Sequence, residues 1–260
     1  MAEQEFNFEA EFSLLDVGAT SSVLRTGTVR PTVLAFSSSA NVEALALDWT
    51  DEKSFQDAFE TARRYVRDLK PIAYALIAHV SRNGRDLTFH LPNDLGTPRV
   101  NEFLALAMFE ESGTTRGLLY PIRRTGDQVS FGMPTVTDAE TTDWCPLGDL
   151  WHNPFCMGDT VCFEPGERAV DPSSNLWRTI VELTRMRIHE DRDNADEYMA
   201  FLDDLRNGIF IVAGRPENAP RRVLLRPRTV YNPLGTLNVE ASRLVLTDSP
   251  PTDVEKVVSP

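Results

Sequence analysis

Between residues 72 and 133 the chain repeats one design: a short apolar run, then a turn. The runs are IAYALIAHV (72–80), DLTFHL (86–91), EFLALAMFEE (102–111), RGLLYPIRR (116–124) and QVSFGM (128–133). The breaks SRNGR, SGT and TGD are rich in turn formers, and Asn83-Gly84 is the strongest of them because both residues tolerate positive φ. Strong turn signals at such short intervals point to an antiparallel meander. Whatever else the chain does must be arranged around that sheet.

The flanks add further elements. Alternation of Phe6, Phe8, Ala10, Phe12 and Leu14 with polar residues reads as a half-buried strand. TVLAF (32–36) and VEALALDW (42–49) read as two more. Residues 51–69 carry Phe55, Phe59, Ala62, Val66 and Leu69 at helical spacing, capped by Thr50 or Asp51 and stopped at Lys70-Pro71. Residues 134–171 show no sustained period and read as a long irregular connection. Asp171-Pro172 is expected to open a helix, and Asn194 with Glu197 resembles the capping box of a second one that ends at Asn207-Gly208. IFIVAG (209–214) and RRVLLRPRTVY (221–231) return to strand character.

These elements define an α+β fold: a mostly antiparallel sheet with one packed helix, followed by a helical pair and further strands. The expected organisation is 1–136 as sheet plus helix, 137–171 as an irregular cysteine and aromatic connection, and 172–246 as two helices with strands packed on the first part. A boundary inside 134–171 is the alternative to a single core. The Pro-rich stretch 247–260 reads as a disordered tail.

Charge bears on function. The chain holds 39 acidic against 26 basic residues, a formal net charge of -13, which repels phosphate backbones and disfavours nucleic acid as a partner. No apolar run reaches the roughly 18 to 20 residues of a membrane-spanning helix. The start MAEQEFNFEAEF has neither a basic region nor an apolar stretch of the kind a secretory signal needs. Three cysteines, an odd number, do not suit a disulfide scaffold, so the expected compartment is reducing and cytoplasmic.

Those cysteines lie within 18 residues, in DWCPLGDLWHNPFCMGDTVCF. Cys145, His152, Cys156 and Cys162 form the pattern C-x6-H-x3-C-x5-C, and three thiolates with one imidazole would complete a tetrahedral structural zinc shell. The C-x2-C knuckle of common zinc modules is missing, however. The plainer reading makes the cysteines small apolar residues under a lid of aromatic side chains. A reactive thiol ranks below both, because this acidic segment offers no cation to lower a cysteine pKa.

Two more constellations stand out. With Asn83-Gly84 as a two-residue turn, His79, Ser81, Asp86, Thr88 and His90 share one face of the hairpin, where imidazoles and a carboxylate can bind a metal or move protons. The blander reading of that face is a solvated surface opposite Val80, Leu87 and Phe89. The arginines of RRVLLRPR (221–228), with Arg215 and Arg243, can clamp an anion, but the expected use is pairing, within the chain or between subunits, with the acidic helices that carry Asp191, Asp193, Asp196, Glu197, Asp203 and Asp204. Motifs for nucleotide binding, zinc proteolysis and serine hydrolysis are absent.

The functional expectation is a non-catalytic binding or assembly protein acting on a protein partner or on itself, with Trp151 and Phe155 in the partner-binding loop. The alternatives are an enzyme built on the hairpin residues His79, Asp86 and His90, or a protein whose loop 145–162 is folded by zinc.

Overall fold

The computed structural model describes residues 6–38, 41–83, 86–91, 101–126, 128–137, 145–164, 167, 169, 174–216, 219 and 221–247. The class is α+β, as the pattern of elements implies. Two units divide the chain, Met1–Trp151 and His152–Pro260.

The first unit contains α1 (Phe8–Thr26), β1 (Thr32–Ser38), β2 (Asn41–Ala46), α2 (Glu52–Leu69), β3 (Ala73–Asn83), β4 (Asp86–His90), β5 (Glu102–Glu110), β6 (Thr115–Thr125), β7 (Gln128–Phe131) and β8 (Thr135–Thr137). The strands join in one antiparallel sheet of order β2-β1-β3-β5-β6-β7, with β4 on β3 and β8 on β6. Along one edge of β3, β1 pairs with residues 73–77 and β4 with residues 79–83, while β5 occupies the other edge. His79 therefore sits where one neighbour ends and the next begins.

The start of the chain departs from expectation. Residues 6–14 read as a strand, yet α1 occupies 8–26. Its buried set is Phe8, Phe12, Leu15, Ala19 and Val23, spaced three or four apart, and Leu14, assigned to the buried face of a strand, is 67% exposed. A period of two and a period of 3.6 overlap over so few residues, and the longer pattern decides. Asn7 Oδ1 accepts from the Ala10 amide at 3.0 Å, and Gly27 closes the helix at φ 79°, a conformation open to glycine without a Cβ penalty.

Two helices thus cover this sheet instead of one. Ala73, Ala75, Leu104 and Leu106 pack in one core with α1. Tyr74, Leu76, Ala78 and Val80 point the other way, into a second core with Phe59, Ala62 and Val66 of α2. Helix α2 matches its sequence reading: Asp51 and Ser54 form a reciprocal capping box, and Lys70, held before Pro71, ends it at φ 48°.

The second unit holds β9 (Thr160–Phe163), α3 (Asn175–Glu190), a 3-10 turn (Arg192–Asn194), α4 (Ala195–Asn207), β10 (Ile209–Gly214), β11 (Arg222–Arg226), β12 (Leu237–Glu240) and β13 (Leu244–Leu246). Its antiparallel sheet has the order β12-β11-β10-β9-β13. Phe201, Leu205, Phe210, Val223 and Leu225 belong to its core.

Three expectations change here. The connection 137–171 is not irregular throughout, since β9 lies within it between β10 and β13. Helix α3 is capped by Ser174, whose Oγ accepts from Trp177 N at 3.1 Å; Asp171-Pro172 falls outside the described residues. Asn194 stands at the N-cap of α4 without a side-chain capping bond, and its Nδ2 donates to Asp191 Oδ2 at 2.9 Å. Apart from Thr247, the stretch expected to be a disordered tail also lies outside the described residues. No helix among the described residues is long and apolar enough to cross a membrane.

Candidate functional site

The β3–β4 hairpin carries candidate chemistry on both faces. Its register pairs His79 with His90, Ser81 with Thr88 and Asn83 with Asp86. Pairing runs one residue further toward the turn than an Asn83-Gly84 loop allows, so His79 does not oppose Thr88 as expected. Moving a turn by one residue shifts each partner by two, however, and the faces keep their membership. His79, Ser81, Thr88 and His90 do share a side.

That side is closed around His79 and not solvated there. His79 is 1% exposed, with Nδ1 3.3 Å from Thr28 Oγ1 and Nε2 3.3 Å from Glu102 Oε2. Arg124 Nε donates to the same Glu102 oxygen at 2.9 Å, and Arg124 Nη2 donates to the Gly27 carbonyl at 2.8 Å. Beside them His90 Nε2 lies 2.8 Å from Ser81 Oγ, and the two imidazole rings meet edge to face with centroids 6.0 Å apart. Glu102, contributed by β5, brings a carboxylate to this cluster. Asp86 lies four residues from His90 along β4, about 13 Å at the rise of an antiparallel strand.

Chemically, the cluster is self-contained. Glu102 is 9% exposed and stands between an imidazole and a guanidinium, so the arginine offsets its charge in a setting where an isolated carboxylate would be costly. Both nitrogens of His79 have neighbours, and the ring has no open side from which a substrate could approach. Glu102, Arg124 and Thr28 escape sequence reasoning because they come from three other segments. The one available signal was a glutamate opening an otherwise apolar strand.

Past the other edge of β4 is an open cleft of about 780 Å³. Its floor is formed by Trp49, Phe55 and Phe89, and Asp48, Asp51 and Glu52 stand exposed at its mouth. Trp49 and Phe55 are perpendicular, with ring centroids 5.1 Å apart, and Phe55 and Phe89 lie 5.8 Å apart. Buried Phe59 backs all three. The signal for this site was the stretch LDWTDEKSF (47–55), in which a tryptophan sits between two aspartates at the start of a helix.

The cysteine pattern is split by the division of the chain. Cys145 belongs to the first unit, where Tyr74 Oη donates to the Leu147 carbonyl at 2.6 Å and the buried Arg63 binds Asp149 at 2.5 Å, holding loop 145–150 onto α2 and β3. Burial pushes the Cys145 thiol up to about 12. His152, Cys156 and Cys162 belong to the second unit. There His152 is exposed, Cys156 is fully buried in a turn closed by Asp159, and Cys162 faces away from its buried neighbours Val161 and Phe163. Among the described residues no group of three or more His, Cys, Asp or Glu side chains is placed to hold a metal ion.

The aromatic pair expected to meet a partner is divided as well. Trp151 is half-buried against Tyr74, with centroids 5.3 Å apart, and Phe155 is 4% exposed within the core of the second unit. Of the clustered arginines, Arg228 binds Asp204 of α4 through Nε and Nη2, whereas Arg222 pairs with Glu240 and Arg243 with Glu167. Arg215 donates to the Phe155 carbonyl at 2.7 Å. No family model, curated protein or solved structure matches this chain.

Proposed function

We propose that this chain is a non-catalytic binding or assembly protein whose recognition site is the cleft beside β4. The observation that carries the reading is the make-up of its walls: aromatic rings as floor and carboxylates at the mouth, with no histidine, cysteine, serine or lysine among the described lining residues. Sites for small groups are concave and largely apolar, with a few polar groups for orientation, and this cleft has that character. The histidine cluster, by contrast, is directed inward. The odd number of cysteines, none of them in a disulfide, supports a reducing, cytoplasmic setting, and the burial of Cys145 and Cys156 supports reading them as small core residues.

The test is a ligand-observed NMR screen of a fragment library against the full chain and a Leu87→Trp variant that fills the cleft. Binders lost in the variant are expected. A screen in which every binder survives Leu87→Trp would refute the reading.

A second reading rests on the 2.8 Å contact between Ser81 and His90, the geometry of a nucleophile with its base. If Ser81 is activated, a fluorophosphonate probe labels it, and Ser81→Ala or His90→Ala abolishes labelling. An unlabelled wild-type protein eliminates this alternative.

A further inference from the structure

We propose that the cleft beside β4 takes an organic cation, an ammonium or quaternary ammonium head held against Trp49, Phe55 and Phe89 beneath the carboxylates of Asp48, Asp51 and Glu52. The inference rests on the reading of the cleft as a recognition site and names the chemistry of its occupant.

The rings supply the first argument. Trp49 and Phe55 stand at 90° with centroids 5.1 Å apart. In the corner of such a pair, a bound group touches the face of one ring and the face of the other at once. Ring faces carry the negative end of the aromatic quadrupole, so a corner of two faces favours a positive charge. Phe89 widens this wall at 5.8 Å from Phe55, and both are fixed from behind by Phe59, which is 5% exposed.

Charge supplies the second. Among the described residues that line the cleft there are three carboxylates and no lysine or arginine. Asp48 pairs with Arg30 at 3.0 Å, but both side chains are more than half exposed, so the pair is weak and exchangeable. Glu52 has no ion-pair partner among the described residues. At the start of α2 the capping box engages two amides internally: Ser54 N donates to Asp51 Oδ1 at 2.8 Å, and Asp51 N donates to Ser54 Oγ at 3.0 Å. The first of those bonds, from the Ser54 amide, holds the Asp51 carboxyl below its ordinary range, so Asp51 stays anionic. An anionic occupant would meet the three negative groups.

Size supplies the third. About 780 Å³ exceeds what a bare methylammonium head fills, and Leu87 and Leu91 extend the apolar wall beyond the rings. The occupant is therefore a cation with an apolar body, not a metal ion.

The deciding experiment compares choline with its neutral isostere 3,3-dimethylbutan-1-ol, titrated into the isotopically labelled full chain. The readout is the Trp49 indole N–H, assigned with Trp49→Phe. We expect choline to shift that signal saturably and at least tenfold more tightly than the alcohol. The paired change Asp48→Asn with Glu52→Gln should reduce choline affinity several-fold while leaving Tm unchanged. If the alcohol binds as well as choline and is displaced in Leu87→Trp, the cleft is an apolar site: the cation falls and the binding reading stands. Choline shifts that persist in Leu87→Trp place the cation elsewhere and overturn the proposal. Should neither probe bind, and the fragment screen yield nothing that Leu87→Trp removes, both readings fall together.

Discussion

The α1 face and the α2 face of the first unit's sheet solve opposite problems with the same strands. On the α1 face, the buried His79 and Glu102 and the partly exposed Arg124 satisfy one another. On the α2 side, aromatic rings form a continuous apolar floor, and the carboxylates sit beside it, in water. The difference teaches where to look for function. Polar residues gathered in the interior mark what the fold must neutralise, whereas polar residues at the mouth of an apolar hollow mark what it can still recruit.

The largest expected loss lies on the α2 side. Phe59→Ala removes the ring that backs Trp49, Phe55 and Phe89, and deletion of a buried Phe costs about 3–5 kcal/mol. Urea denaturation should show that loss, together with loss of cleft binding. On the α1 face, Glu102→Ala leaves His79 and Arg124 without their shared carboxylate. Because Arg124 is about one-third exposed, water compensates in part, and we expect a loss of about 2–3 kcal/mol with cleft binding unchanged. Parallel loss of binding in both variants would erase the distinction between the faces.

Alkaline titration sharpens the contrast further. Cys145 on the α2 side is pushed up to about 12 by burial, and Tyr120 on the α1 side reaches about 12 through burial and its bond to Asp16. Both folded values lie above the unfolded ones. Their stabilisation is therefore complete below the unfolded pKa, about 8.5 for the thiol and 10 for the phenol, and is lost as pH rises toward 12. Each group contributes a slope of at most about 1.4 kcal/mol per pH unit. In stability curves measured from pH 8 to 11, Cys145→Ala should remove the decline that begins near pH 8.5, and Tyr120→Phe the one that begins near 10. The smallest effect belongs to Asn7→Ala, which removes the α1 cap and should lower stability by about 1 kcal/mol in the same denaturation assay.

How legible was this in the sequence? The meander was, because its turns and apolar runs are local. The second covering helix was not read, although EFLALAMF contains its trace: a strand buried on both faces loses the alternation of a half-exposed one, and Leu104 to Phe109 are all buried. Strand β9 escaped because TVCF is four residues long and gains its identity only from β10 and β13. At the candidate sites, the shared face of His79 and His90 followed from alternation alone and survived a displaced turn. Glu102, Arg124 and Thr28 could not follow from it, since a pattern within one hairpin carries no information about which other strands will adjoin it. Trp151 and Phe155 were chosen for being aromatic in a loop, and their burial was the missing fact.

The position of β9 also has a consequence for synthesis. Cys162 pairs with Ile209 on one side and with Val245 on the other, so the centre of the second sheet is made early and completed late. A ribosome moving at about 5–20 residues per second leaves that strand with open edges for several seconds after it emerges. The first unit, whose strands all lie before residue 138, can fold in that interval. The second unit must wait for β10 and β13, and during that wait β9 is the segment that a holding chaperone, or a second nascent copy, would meet first.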